Sequence, residues 1–115
     1  MSVSHILNSF IVMRSFSFEV DFGYGIKPSD SAVFSLELNE EEIAFLKRYI
    51  KNNGRECDYG EIEYENFKLF NKLNSAANEA VVNEINKHLK KKIDFFDVDW
   101  TGMSFDFIWP KELTE

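Results

Sequence analysis

Between Ile93 and Pro110 the apolar residues change parity once, and that change restricts the fold more than any other feature of the chain. Phe96, Val98 and Trp100 occupy even positions, Met103, Phe105, Phe107 and Trp109 occupy odd ones, and the switch falls at Thr101-Gly102. Side chains alternate across a strand, so a run of one parity buries one face, and a parity flip is what a two-residue hairpin turn requires. The spacing predicts a C-terminal hairpin in which Trp100 faces Met103, Val98 faces Phe105 and Phe96 faces Phe107. One long strand with a bulge at Gly102 produces the same faces and stays open. In either form Asp97, Asp99, Ser104 and Asp106 fall on the side away from the apolar row.

A second alternating region begins near Met13. Phe16, Phe18, Val20 and Phe22 point one way, while Ser15, Ser17, Glu19 and Asp21 point the other, and the run is rich in residues that favour strands. Gly23-Tyr24-Gly25 and Lys27-Pro28-Ser29-Asp30 supply a loop, after which Ala32, Phe34, Leu36 and Leu38 alternate with Val33, Ser35 and Glu37. Two strands joined by a short loop are expected to pair antiparallel.

Asn39 then offers an N-cap with Glu42 at the capping-box spacing, and Glu40 and Glu41 suit the positive end of a helix. Ile43, Leu46, Tyr49 and Ile50 make the buried stripe, and Asn53-Gly54 closes the helix. Residues 55–64 read as a loop with Ile62 and Tyr64 tucked against the core. From Glu65 to about Lys91 a stripe runs through Phe67, Phe70, Leu73, Ala77, Val81, Ile85, His88 and Leu89 at spacings of three and four. One long helix is favoured, with Asn74-Ser75 as a bend or as the cap of a second helix, and with Lys90, Lys91 and Lys92 at its negative end. His88 reads as a core or core-edge residue on that stripe.

The order strand, strand, helix, helix, strand, strand predicts an α+β domain: an antiparallel sheet of three or four strands with two helices packed on one face. At 115 residues the chain is expected to be one domain, with residues 1–9 a loose N-terminal arm. A lone cysteine, Cys57, excludes an internal disulfide and points to a reducing compartment. No apolar run approaches the roughly 20 residues of a membrane span, and the N-terminus lacks a basic segment and a cleavage site. A cytoplasmic location without membrane contact is expected.

Chemistry-bearing motifs are few. Asp97-Val98-Asp99-Trp100-Thr101 spells D-x-D-x-T, and this string resembles the nucleophile motif of haloacid-dehalogenase-type phosphatases. That resemblance implies a doubly wound α/β domain with a lysine and further acids far downstream. Only 14 residues follow Thr101 and no strand–helix–strand alternation precedes it, so the motif lacks its context. The same aspartates resemble the start of a calcium loop, but the twelfth position is Ile108 where a glutamate is required. Cys57 has Arg55 and Lys51 nearby to lower its pKa, although a lone loop cysteine is ordinarily inert. The lysines at 87 and 90–92 surround the helix without interleaved aromatics, unlike a nucleic-acid patch. No catalytic residue, metal ligand or cofactor is predicted.

What remains is a distributed feature. If all strands share one sheet, the face away from the helices carries Glu19, Asp21, Glu37, Asp97, Asp99 and Asp106, with serines between them and no lysine or arginine. The formal net charge of −7 argues against nucleic acid and in favour of a basic protein partner. The expected function is a non-enzymatic acidic binding module; nuclease-toxin immunity proteins and nucleic-acid mimics are classes of this sort, linked to the chain by charge and size alone. A merely solvated sheet face fits the same residues. In that case the chain is a small assembly domain that self-associates through a strand edge. A divalent-metal enzyme using Asp97, Asp99 and Asp106 is the third reading. Oligomeric state is left open.

Overall fold

The computed structural model describes residues 12–24 and 29–115. The expected N-terminal arm and the Gly25–Pro28 part of the first loop lie outside them. Three antiparallel strands form one sheet in the order β2-β1-β3, with β1 at Arg14–Tyr24, β2 at Asp30–Leu38 and β3 at Met103–Ile108. Helices α1 (Glu40–Asn53), α2 (Ile62–Glu65), α3 (Phe67–Asn86) and α4 (Lys111–Thr114) complete the chain. The fold is α+β as the periods predict, and the helices contribute to the core on one face of the sheet.

The alternation read from the sequence holds throughout β1: Phe16, Phe18, Val20 and Phe22 are all buried. Register aligns Phe18 with Phe34 and Val20 with Phe107, so aromatic rings from all three strands meet. Phe18 stacks on Phe34 at 5.3 Å and on Phe107 at 5.5 Å, and Phe107 meets Trp109 edge-on at 5.0 Å. Ile43, Leu46, Tyr49 and Ile50 of α1 and Leu69 and Leu73 of α3 close over this layer. Val81 packs in a second cluster with Val20, Phe22 and Ala32.

Helix α1 begins as its sequence dictates. Asn39 Oδ1 accepts from the Glu42 backbone N–H and Glu42 Oε1 accepts from the Asn39 N–H, both at 2.9 Å. The helix ends at Gly54, whose φ of 91° suits glycine. Glu42 also holds Lys72 of α3 at 3.1 Å, tying the two main helices together.

Several expectations fail in instructive ways. The C-terminal hairpin does not form, nor does the single bulged strand: residues 95–97 and 100–102 are single 3₁₀ turns, and only 103–108 is a strand. Asp94 Oδ1 accepts from Phe96 N–H and Asp97 Oδ2 accepts from Asp94 N–H, a reciprocal cap that satisfies the backbone locally. Trp100 then donates from Nε1 to the Phe95 carbonyl and stacks on that ring at 5.1 Å. Phe96, expected in the core, is 87% exposed.

The long helix starts at Phe67 rather than Glu65, because the Asn66 side chain caps it by accepting from Leu69 N–H. It runs unbroken through Asn74-Ser75 and stops at Asn86. Asn86 clamps Ile93 through both backbone groups, and of the three lysines Lys92 reaches the helix end, its Nζ donating to the carbonyls of Asn86 and Leu89. Beyond that end His88 is exposed, not core, and Leu89 is partly exposed. In the 55–64 segment Ile62 is buried as expected, but Tyr64 is 88% exposed and Tyr59 takes the inward position.

Candidate functional site

Odd positions of β1 and β2 and even positions of β3 point away from the helices. They read Ser15, Ser17, Glu19, Asp21, Gly23; Ser31, Val33, Ser35, Glu37; and Ser104, Asp106, Ile108. No lysine or arginine stands among them. Gly23 is required at the end of this face because a Cβ there would lie 2.6 Å from Ser29 Oγ and 2.7 Å from its backbone nitrogen.

The acids divide into groups. Asp21 lies directly opposite Asp106 in the β1–β3 register, and Glu19 lies opposite Ile108 and Val33 on its two sides. Facing positions on one side of an antiparallel pair place their Cβ atoms roughly 4.5–5.5 Å apart. Glu37 pairs with Ser15, four residues along β1 from Glu19 or about 13 Å at strand rise, so it stands apart. Asp97 and Asp99 lie in the turn segment, not on a strand, and each is engaged there. Asp97 completes the reciprocal cap described above. Asp99 Oδ1 accepts from the Thr101 hydroxyl at 2.7 Å, and that bond, with backbone N–H groups of Thr101 and Gly102, holds its carboxyl below the usual range. The hairpin register of the sequence would set Asp97 opposite Asp106; in the structure Asp21 takes that place.

The structure adds two acids that the sequence pattern did not connect. A cleft of about 620 Å³ runs beside β3, and its walls include Asp21, Asp106 and Ile108 together with Arg55, Glu56 and Asp58. It thus gathers four carboxylates against one guanidinium. The loop that forms its far wall is pinned by three aromatic side chains. Trp109 Nε1 donates to the Cys57 carbonyl at 2.8 Å, Tyr49 Oη donates to the Asp58 carbonyl at 2.7 Å, and Tyr59 Oη donates to Asn74 Oδ1 at 2.8 Å. The Cys57 thiol is pushed up by burial despite Arg55 and Lys51 nearby in sequence, and a thiol held protonated is a poor nucleophile, in keeping with an inert cysteine. Burial also raises both Tyr49 and Tyr59 to about 12.

Glu56 and Asp58 were missed because they sit in an aperiodic loop, and their approach to β3 depends on Trp109 reaching back across 52 positions of sequence. Among the described residues no helix is long and apolar enough to cross a membrane. Comparison of the chain with protein-family models, curated proteins and solved structures finds no match.

Proposed function

We propose that this chain is a non-enzymatic binding module whose outer sheet face and adjoining cleft receive a basic segment of a partner protein, in the manner of an immunity- or mimic-type inhibitor. The observation that carries the reading is the Asp21–Asp106 opposition with Glu56 and Asp58 across the same cleft. Facing carboxylates repel one another, and a cation between them relieves that repulsion and gains charge-assisted hydrogen bonds. Ile108 and Val33, both exposed on either side of Glu19, offer apolar surface for the aliphatic stem of a lysine or arginine. A reducing, cytoplasmic setting fits the single cysteine and belongs to the same proposal.

The test is capture from native lysate at low and high salt, with wild type and an Asp21→Asn, Asp106→Asn double variant as bait. A basic protein retained by wild type at low salt, lost at high salt and weakly held by the variant supports the reading. Equal retention by both baits at low salt overturns it.

A second reading has one observation behind it: among the described residues β2 and β3 are the outer strands of the sheet, and an outer strand is a template for self-association. Sedimentation at increasing protein concentration separates the two, because edge pairing raises the mass without a partner and is insensitive to the double variant.

A further inference from the structure

On the helix side of the sheet, away from the acidic face, Asp30 at the start of β2 approaches Glu84 in the last turn of α3 and His88 just beyond it. One ligand atom from each lies within 4.8 Å of the other two. We propose that these three side chains form a binding site for a divalent transition metal of the zinc class.

Two carboxylates alone would be an ordinary wet acidic surface, but the imidazole makes the set a mixed nitrogen and oxygen one. Such a set suits zinc and its neighbours rather than magnesium or calcium, which take oxygen ligands. Glu84 lies in the last turn of α3 and His88 in the turn that follows it, where His88 N–H donates to the Ile85 carbonyl, and His88 Nε2 stands 3.6 Å from Glu84 Oε2. Bonds of 2.0–2.1 Å to a tetrahedral ion put neighbouring ligand atoms about 3.3 Å apart, so this pair needs only a small closure. The Asp30 ligand atom lies within 4.8 Å of the other two, and a side chain at the exposed end of a strand can adjust by rotation.

Each carboxylate is already oriented by a bond to one of its oxygens. Glu84 Oε1 accepts from Lys87 Nζ at 3.1 Å, and Asp30 Oδ1 accepts from the Ser31 backbone N–H at 2.9 Å. The other oxygen of Glu84, Oε2, is the one that faces His88 Nε2. Outer hydrogen bonds of this kind fix ligand direction in metal sites. Three protein ligands leave a fourth position for water or for a group from a partner. The ion would join the start of β2 to the end of α3.

The experiment is a titration of the tag-free 115-residue chain with zinc chloride by calorimetry, repeated with cobalt(II) to read coordination from its visible absorption. Wild type is expected to bind one zinc with a tetrahedral cobalt spectrum. His88→Gln and Asp30→Asn should each weaken zinc by at least the roughly 10- to 100-fold that loss of an outer partner costs a metal site. His88 is 69% exposed in its side chain, so the metal-free His88→Gln protein should melt as wild type does, and zinc should raise the melting temperature of wild type but not of His88→Gln. Cys57→Ser should bind as wild type. Undiminished zinc binding in His88→Gln, or its loss in Cys57→Ser, places the ion elsewhere and overturns the proposal, as does no binding at all. None of these outcomes bears on the acidic face.

Discussion

Phe18 shows how far a single residue was readable. Its parity in β1 predicts burial, and it is 1% exposed with Phe34, Phe107 and Trp109 around it. Phe18→Ala should cost about 3–5 kcal/mol in a denaturant titration, since the ring leaves a cavity that stacked neighbours cannot fill. Phe96→Ala should change stability by no more than about 0.5 kcal/mol, because the ring is 87% exposed. A large loss at Phe96 would restore the C-terminal hairpin. Tyr59 gives a pH prediction. Its phenol has a pKa of about 12 in the folded protein against 10.0 for an ordinary tyrosine, because burial disfavours the charged form. The unfolded chain ionises first, so the stability held by the neutral phenol is full below pH 10 and falls as pH rises towards 12. Tyr49 is raised in the same direction to about 12. Tyr59→Phe should start about 1 kcal/mol less stable through the lost bond to Asn74, yet fall less steeply in alkaline melts.

At the scale of elements, capping chemistry decided both what was legible and what was not. Asn39 and Glu42 were readable as a helix start because a periodic apolar stripe follows them, and both reciprocal bonds form. Asn39→Ala should therefore lose about 1 kcal/mol, seen as a lower denaturation midpoint with an unchanged slope. An unaltered midpoint would mean that Glu42 alone suffices to start α1. The same device hides in Asp94-Phe95-Phe96-Asp97, where an aspartate again sits three positions after a capping residue. There the alternation of Phe96, Val98 and Trp100 suggested a strand, but side-chain bonds to the local backbone compete with sheet pairing and won. Strand β3 kept its expected phase because its backbone pairs with β1. The stripe of α3 was likewise right in the middle, at Leu73, Ala77 and Val81, and wrong at its ends, where Asn66 and Asn86 redirect the chain.

Over the whole molecule the sheet order determines which charges meet, and local pattern could not supply that order. Each strand told which residues face outward; only the pairing of β1 with β3 made Asp21 the neighbour of Asp106, and only the pinned 55–61 loop brought Glu56 and Asp58 to them. Glu37, equally outward and equally acidic, is carried away by the register. Repulsion within this group is expected to oppose folding, since carboxylates far apart in the unfolded chain are brought together. The chain's net charge of −7 adds to the effect. Asp21→Asn with Asp106→Asn should therefore leave the fold intact and raise stability by a few tenths of a kcal/mol at low ionic strength, the scale of like-charge pairs across strands. The gain should shrink with added salt, as the screening length drops from roughly 10 Å at 0.1 M to 3 Å at 1 M. Melting temperatures of wild type and double variant across that salt range measure this without any partner. A gain independent of salt would trace to packing or hydrogen bonding of the amides rather than to charge. A loss of stability would mean that the two aspartates already hold a cation of the protein's own, with Arg55 on the cleft wall the first to examine.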